Sequence, residues 1–126
     1  MKRSGLILAL SREHHQALVF ARRIALLSDA SDDELAALCQ RVLDELAPAL
    51  LVHFEEEERG LLPVADEAAA EEARRLVAEH EELRALLNAL CGGDTAALKP
   101  FGALLADHVR FEERVLFPRI APLLTD

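Results

Sequence analysis

His53-Phe54-Glu55-Glu56-Glu57-Glu58-Arg59-Gly60-Leu61-Leu62-Pro63 and His108-Val109-Arg110-Phe111-Glu112-Glu113-Arg114-Val115-Leu116-Phe117-Pro118 are two copies of one pattern, H-x-x-x-E-E-R-x-L-x-P. Residues four apart on a helix share a face, with Cβ atoms about 5–6 Å apart. His53 with Glu57, and His108 with Glu112, therefore each present an imidazole and a carboxylate in one direction. A smaller echo, Glu13-His14 and Glu79-His80, precedes each copy. The chain reads as two related helical hairpins, each with one Glu-His helix and one His-x-x-x-Glu helix.

Hydrophobic period and breakers extend this reading to the whole chain. A first helix is predicted over residues 4–27, with Ile7, Leu10, Ala17, Ala21 and Ile24 on one stripe. Ser28-Asp29-Ala30-Ser31 breaks it, and Ser31 with Glu34 forms a capping box for the second. That helix runs to about residue 59, with Leu35, Leu38, Val42, Leu46 and Leu50 inward and Pro48 inside it, removing a donor and kinking the rod. Gly60 and Pro63 mark a turn. The third helix covers residues 66–90, with Ala73, Leu76, Val77, Leu83, Leu87 and Leu90 as its core face, and ends at Cys91-Gly92-Gly93-Asp94. The fourth covers residues 95–117, its regular part beginning at either Thr95 or Pro100. Short loops make consecutive helices antiparallel neighbours, so the expectation is all-α: a single domain over residues 1–126, folded as an up-down-up-down antiparallel four-helix bundle.

Composition agrees and excludes. Of 126 residues, 52% are hydrophobic, enough to bury a core without staples. Leu and Ala dominate, which favours helix over sheet. Cys39 and Cys91 lie far apart with no C-x-x-C spacing, so neither a disulfide framework nor a thiolate zinc site is expected. A net charge of −9 argues against a nucleic-acid partner. No apolar run approaches the ~20 residues that cross a bilayer, so no membrane partner is expected. Met1-Lys2-Arg3 followed by the apolar residues 6–10 imitates a leader, but the apolar stretch is short and Arg12-Glu13 follow it. The chain is expected in the cytoplasm.

The direction of the His/Glu pairs follows from their neighbours. His108 and Glu112 share a stripe with Phe101, Leu104, Leu105, Phe111 and Val115. His53 and Glu57 follow Leu46 and Leu50, and His80 lies within the row from Ala73 to Leu87. A carboxylate aimed at a core costs several kcal/mol unless something satisfies it. Two glutamates and three histidines do not readily satisfy one another by hydrogen bonds, whereas a pair of metal ions satisfies them together. In antiparallel rods, residues equidistant from the connecting turn lie level. His80 and His108 centre on residue 94, and His53 and His80 near residue 66, each beside a turn. His14 and His53 centre near residue 33 or 34 against a break near 30, a stagger of roughly one or two turns. Glu56, Glu58, Arg59, Glu81 and Glu82 read as solvated, and Arg84 as making surface ion pairs worth under ~1 kcal/mol each.

Imidazole and carboxylate donors without thiolates suit iron, manganese or zinc. The E-x-x-H signature of ferritin-like bundles is absent: Leu50, Val77 and Leu105 stand three before His53, His80 and His108. There is no H-E-x-x-H either, so zinc-protease chemistry has no support.

At Glu13-His14, His53-x-x-x-Glu57, Glu79-His80, His108-x-x-x-Glu112 and the ending Leu116-Phe117-Pro118, the sequence resembles the hemerythrin-like family, also called the HHE cation-binding domain. The resemblance covers nearly the whole chain. It implies a four-helix bundle holding two Fe ions in a non-haem centre, bridged by two carboxylates and an oxo or hydroxo oxygen, with Mn or Zn as substitutes. Carried over by position, Glu57 and Glu112 match the bridging carboxylates, and His53, His80 and His108 match terminal imidazoles. The first helix offers His14 and His15, about 100° apart. His14 continues the Leu10, Ala17, Ala21 stripe, and the other stays a candidate ligand or supporting donor. Glu113 matches the spacing of the oxygen-carrying hemerythrins, while the internal repeat favours Glu112. Arg84 stands where those carriers have a further histidine, which implies more open positions and puts reversible oxygen carriage in doubt.

The resemblance implies binding or sensing of a small ligand (dioxygen, peroxide or nitric oxide). Its alternatives are an iron-handling or iron–sulfur repair protein, or a small oxidase or peroxidase. With no Tyr or Trp, the chain lacks the usual side chains for a protein radical. Any signalling role needs a separate protein partner.

Overall fold

A computed structural model describes residues 3–124; Met1 and Lys2 of the leader-like start lie outside them. The described residues are all helical apart from short connections, with no strand among them. Helix α1 (Arg3–Ala25) is followed by α2 (Asp32–Arg41), which passes through a π-helical turn (Val42–Leu46) into α3 (Ala47–Gly60). A short α4 (Leu62–Ala68) leads to α5 (Ala70–Cys91). After a 3-10 turn (Thr95–Ala97), α6 (Leu98–Phe111) enters a second π-helical turn (Glu112–Leu116), then α7 (Phe117–Ile120).

The Ser31–Glu34 capping box forms as expected: Glu34 N–H donates to Ser31 Oγ, and the Glu34 carboxylate accepts from Ser31 N–H. Pro48 does not break its rod. Its missing N–H falls in the first turn of α3, just after the π turn, where Ala47 N–H reaches back to Val42 O. Pro118 sits likewise after the second π turn, so helix continues past residue 117. The turn expected at residues 60–63 is an interruption at Leu61, and the connection runs on as helix α4. The sharper break is at Ala69 (φ −151°, ψ 61°), a buried alanine that no Gly or Pro announces. Gly93, at φ +91°, takes the left-handed conformation that ends α5.

α1 packs against α6 and α3, and α5 packs against the same two helices. Two apolar clusters result. One gathers Phe20, Ile24, Val42, Leu46, Phe54, Leu83, Leu87, Phe101 and Leu105; the other gathers Leu10, Leu61, Leu76, Phe111, Leu116, Phe117 and Ile120. Along the chain α1 and α5 pass from the second cluster to the first, whereas α3, with Leu61 just past its end, and α6 pass from the first to the second. Between the clusters every one of these helices contributes a polar layer. Gly102 sets the spacing of α1 and α6, since a Cβ there would lie 2.7 Å from Ile24 Cγ2 and 2.9 Å from Ile24 Cβ. Ile24 is 2% exposed and has nowhere to move. Gly102→Ala is therefore expected to destabilise by about 1–3 kcal/mol, read from urea unfolding midpoints.

Candidate metal centre

The polar layer consists of His14, His53, Glu57, His80, His108 and Glu112, all buried, both glutamates at 0% exposure. His14 comes from α1, His53 and Glu57 from α3, His80 from α5 and His108 from α6. Glu112 is the first residue of the second π turn, whose wide bond runs from Phe117 N–H to Glu112 O. The i,i+4 spacing brings His53 Nε2 to 3.3 Å from Glu57 Oε2, and His108 Nε2 to 3.3 Å from Glu112 Oε1. Across helices, His80 Nε2 lies 3.0 Å from Glu57 Oε1 and His14 Nε2 lies 2.9 Å from Glu112 Oε1.

These atoms form two groups, His14–His53–Glu57–Glu112 and Glu57–His80–His108–Glu112, in each of which one ligand atom per residue lies within 4.8 Å of all the others. Both carboxylates belong to both groups. The first helix does reach the common level, with the His14 and His53 rings 5.0 Å apart. The expected stagger is taken up by unequal arms, because α1 ends eleven residues after His14 and α2 begins twenty-one before His53. His15 is not brought in. It is exposed, one helix position round from His14, and stands outside both groups.

A second ring of carboxylates holds the imidazoles from behind. His14 Nδ1 donates to Glu113 (2.7 Å), His53 Nδ1 to Glu13 (2.7 Å), His80 Nδ1 to Glu58 (2.6 Å) and His108 Nδ1 to Glu79 (2.8 Å). The pattern repeats between the chain's two halves. Glu13 and Glu79 each precede a histidine of the layer, and Glu58 and Glu113 each follow a buried glutamate. With Nδ1 donating outward, each Nε2 is aimed inward, the arrangement that fixes the tautomer of a metal-bound histidine. Arg84 grips Glu58 through two bonds, at 2.8 and 3.0 Å, and lies 5.5 Å over the Phe54 ring. Arg75 supports Glu79 at 2.9 Å. Phe54 stacks on His80 at 4.2 Å and Phe117 on His14 at 5.6 Å.

The sequence reading treated Glu58 as solvated and Arg84 as a surface pair; both are part-buried supports. The adjacency of Glu13, Glu58, Glu79 and Glu113 to the ligand candidates was the available signal. Each acid serves a histidine on another helix, which spacing along one helix does not show. Truncating such an outer partner typically costs 10–100-fold in metal affinity. Glu79→Ala is expected to fall in that range in a chelator-competition titration.

Charge in the layer is strongly coupled. Burial opposes protonation of His53, but the neighbouring carboxylates of Glu112 and Glu57 outweigh it and push its pKa up to about 11. His108 is likewise opposed by burial and raised by Glu112 and Glu79, to about 9. His14 rises too, with burial again opposed by its bonds to Glu112 and Glu113. Burial and the neighbouring Glu112 charge push Glu57 up. Glu112 stays well below the carboxylate range: burial opposes its charge, but the close side chains of Glu57, His108, His14 and His53 prevail. Protons thus do here what cations would do.

Three buried polar atoms still have no hydrogen-bond partner: Glu57 Oε2, Glu112 Oε2 and His108 Nε2. All three belong to residues of the two groups, and each is a group that a cation would satisfy. The donor set is two carboxylates and four imidazoles, suited to borderline or hard divalent ions. Cys39 and Cys91 are both free and outside the layer. The residues present fit a pair of metal ions.

No helix is long and apolar enough to cross a membrane, among the described residues. No curated protein and no solved structure matches the chain. A family model does, over residues 6–120, and that span contains every member of the polar layer. On this match and this layer, the chain belongs to the hemerythrin HHE cation-binding domain family.

Proposed function

We propose that the chain is an up-down-up-down four-helix bundle that holds two iron ions between Glu57 and Glu112 and binds or senses dioxygen, peroxide or nitric oxide. The alternating passage of α1, α3, α5 and α6 between the two apolar clusters supports the bundle. The sharing of Glu57 and Glu112 by both four-residue groups carries the binuclear reading. Iron, rather than manganese or zinc, follows from the family's chemistry.

Glu57 and Glu112 supply the negative charge common to both positions. His14 and His53 serve one position, and His80 and His108 the other. Glu113, Glu13, Glu58 and Glu79 hold the four rings so that Nε2 need not reorient when a ligand arrives. Phe54 and Phe117 cover ring faces and keep water from them. An iron pair, when bound, supplies electrons and open coordination positions to a small ligand. Uptake of cations displaces protons from His14, His53 and His108 and from Glu57.

A second reading, an enzyme that consumes peroxide or dioxygen, draws on a cavity of about 250 Å³ that reaches His14, His53, His108 and Glu112. Mixing the reduced, iron-loaded protein with dioxygen separates the two. Ligand binding predicts a stable visible spectrum that reverses when the gas is removed. Multiple turnovers with loss of peroxide would favour the enzyme. A cytoplasmic location and a partner protein for any signal belong to the same proposal.

A further inference from the structure

The cavity beside the centre is larger than a diatomic ligand needs. At about 30 Å³ per water, 250 Å³ has room for roughly eight waters. Dioxygen or nitric oxide fills about one or two such places. The walls are apolar: Leu46, Leu50, Phe54 and Leu105 line it, with Val109 beside them. Water held against such walls has few partners, and an apolar group that displaces it gains affinity.

The polar lining is of two kinds, a buried set at the inner end and an exposed set at the rim. At the inner end stand His14, His53, His108 and Glu112, including the unpartnered His108 Nε2 and Glu112 Oε2. The exposed polar residues of the lining are Arg12, Glu13, His15 and Gln16; Glu13 accepts from His53 and Gln16 donates to Glu45 O. An anion held at this rim would gain the ~1 kcal/mol or less of an exposed ion pair. At the inner end it would meet two cations that only two carboxylates, Glu57 and Glu112, reach directly, the four outer carboxylates being bonded behind the imidazoles.

We propose that this cavity is a binding site for a small monocarboxylate, its head at the metal pair and an apolar chain of up to about six carbons along Leu46, Leu50 and Leu105. The inference rests on the binuclear reading and names an organic ligand class for that site. Hexanoate, with eight heavy atoms, matches the room for roughly eight waters.

The test is calorimetric titration of the zinc-loaded protein, which is redox-inert, with acetate, butanoate, hexanoate and decanoate. Each buried methylene contributes ~0.8 kcal/mol, so affinity should rise about fourfold per carbon up to hexanoate and then level off. Ala49→Phe places a bulky ring on an exposed residue of the cavity wall. It should remove at least tenfold of the hexanoate affinity while acetate binding and the two-zinc stoichiometry stay unchanged. Hexanoate binding no tighter than acetate, or a chain-length gain that survives Ala49→Phe, overturns the organic-ligand site and leaves the metal pair standing. Failure to take up two zinc ions overturns both.

Discussion

Replacing Glu112 or Glu57 with alanine is expected to abolish uptake of two cations per chain, with affinity at both positions down by more than about 100-fold. The reason is the sharing: each carboxylate belongs to both four-residue groups, so removing either strips both positions at once. That loss exceeds the roughly 10–100-fold typical of outer partners. The two variants should differ without metal. Glu112 is the charged member, and it faces His14, His53 and His108. Its removal leaves buried imidazoles without an anion, a change costing about 3–5 kcal/mol. Glu57, pushed toward its protonated form, leaves less behind. Glu56→Ala, at a position outside the layer, should leave uptake at two. Equal losses from all three would mean that the helix faces are assigned wrongly. Metal stoichiometry after desalting, paired with urea unfolding of the chelated protein, reads both effects.

The second large effect is an opposition between pH and metal. In the metal-free protein the His108 pKa rises from an ordinary 6.5 to about 9. A base whose folded pKa is raised contributes stability that is complete below the unfolded value and lost as pH climbs through the folded one. His108 alone should therefore cost the metal-free protein on the order of 3 kcal/mol between pH 6.5 and 9. His53, pushed up to about 11, extends the loss to higher pH, and the raised Glu57 acts in the same sense above 4.5. Glu112 acts oppositely at the acid end: its depressed pKa gives stability that is present above 4.5 and lost as pH falls through the folded value. Metal uptake expels these protons, so cation affinity should tighten from pH 6.5 to 9 while metal-free stability declines. Urea unfolding across that range, with chelator and with excess zinc, should give profiles that diverge with pH. Parallel profiles would contradict the coupling.

Much of this was legible because the helix period is strict. Glu57 and Glu112 could be placed inward from Leu46, Leu50, Leu105 and Phe111, and the repeat of residues 53–63 at 108–118 doubled the signal. His14 was favoured over His15 as a continuation of the Leu10 and Ala17 stripe, and of the two the structure buries His14 and leaves His15 exposed. What could not be read depends on bonds between helices. Glu58 looks like one more acid in a run of four, and only its reach to His80 and Arg84 distinguishes it. The π turns escaped notice because residues 42–46 and 112–116 carry ordinary helical patterns. Pro48 and Pro118 hinted at interruptions, and at each a wide turn precedes the proline and helix continues beyond it. Ala69 breaks the helix by its place in the packing, not by its residue type.

The most direct test of the central claim is anomalous diffraction from crystals of the metal-loaded protein. The account predicts two peaks per chain, one contacted by His14 and His53, the other by His80 and His108, both touching Glu57 and Glu112. A single peak, or peaks held by exposed acids with the buried layer empty, would contradict it.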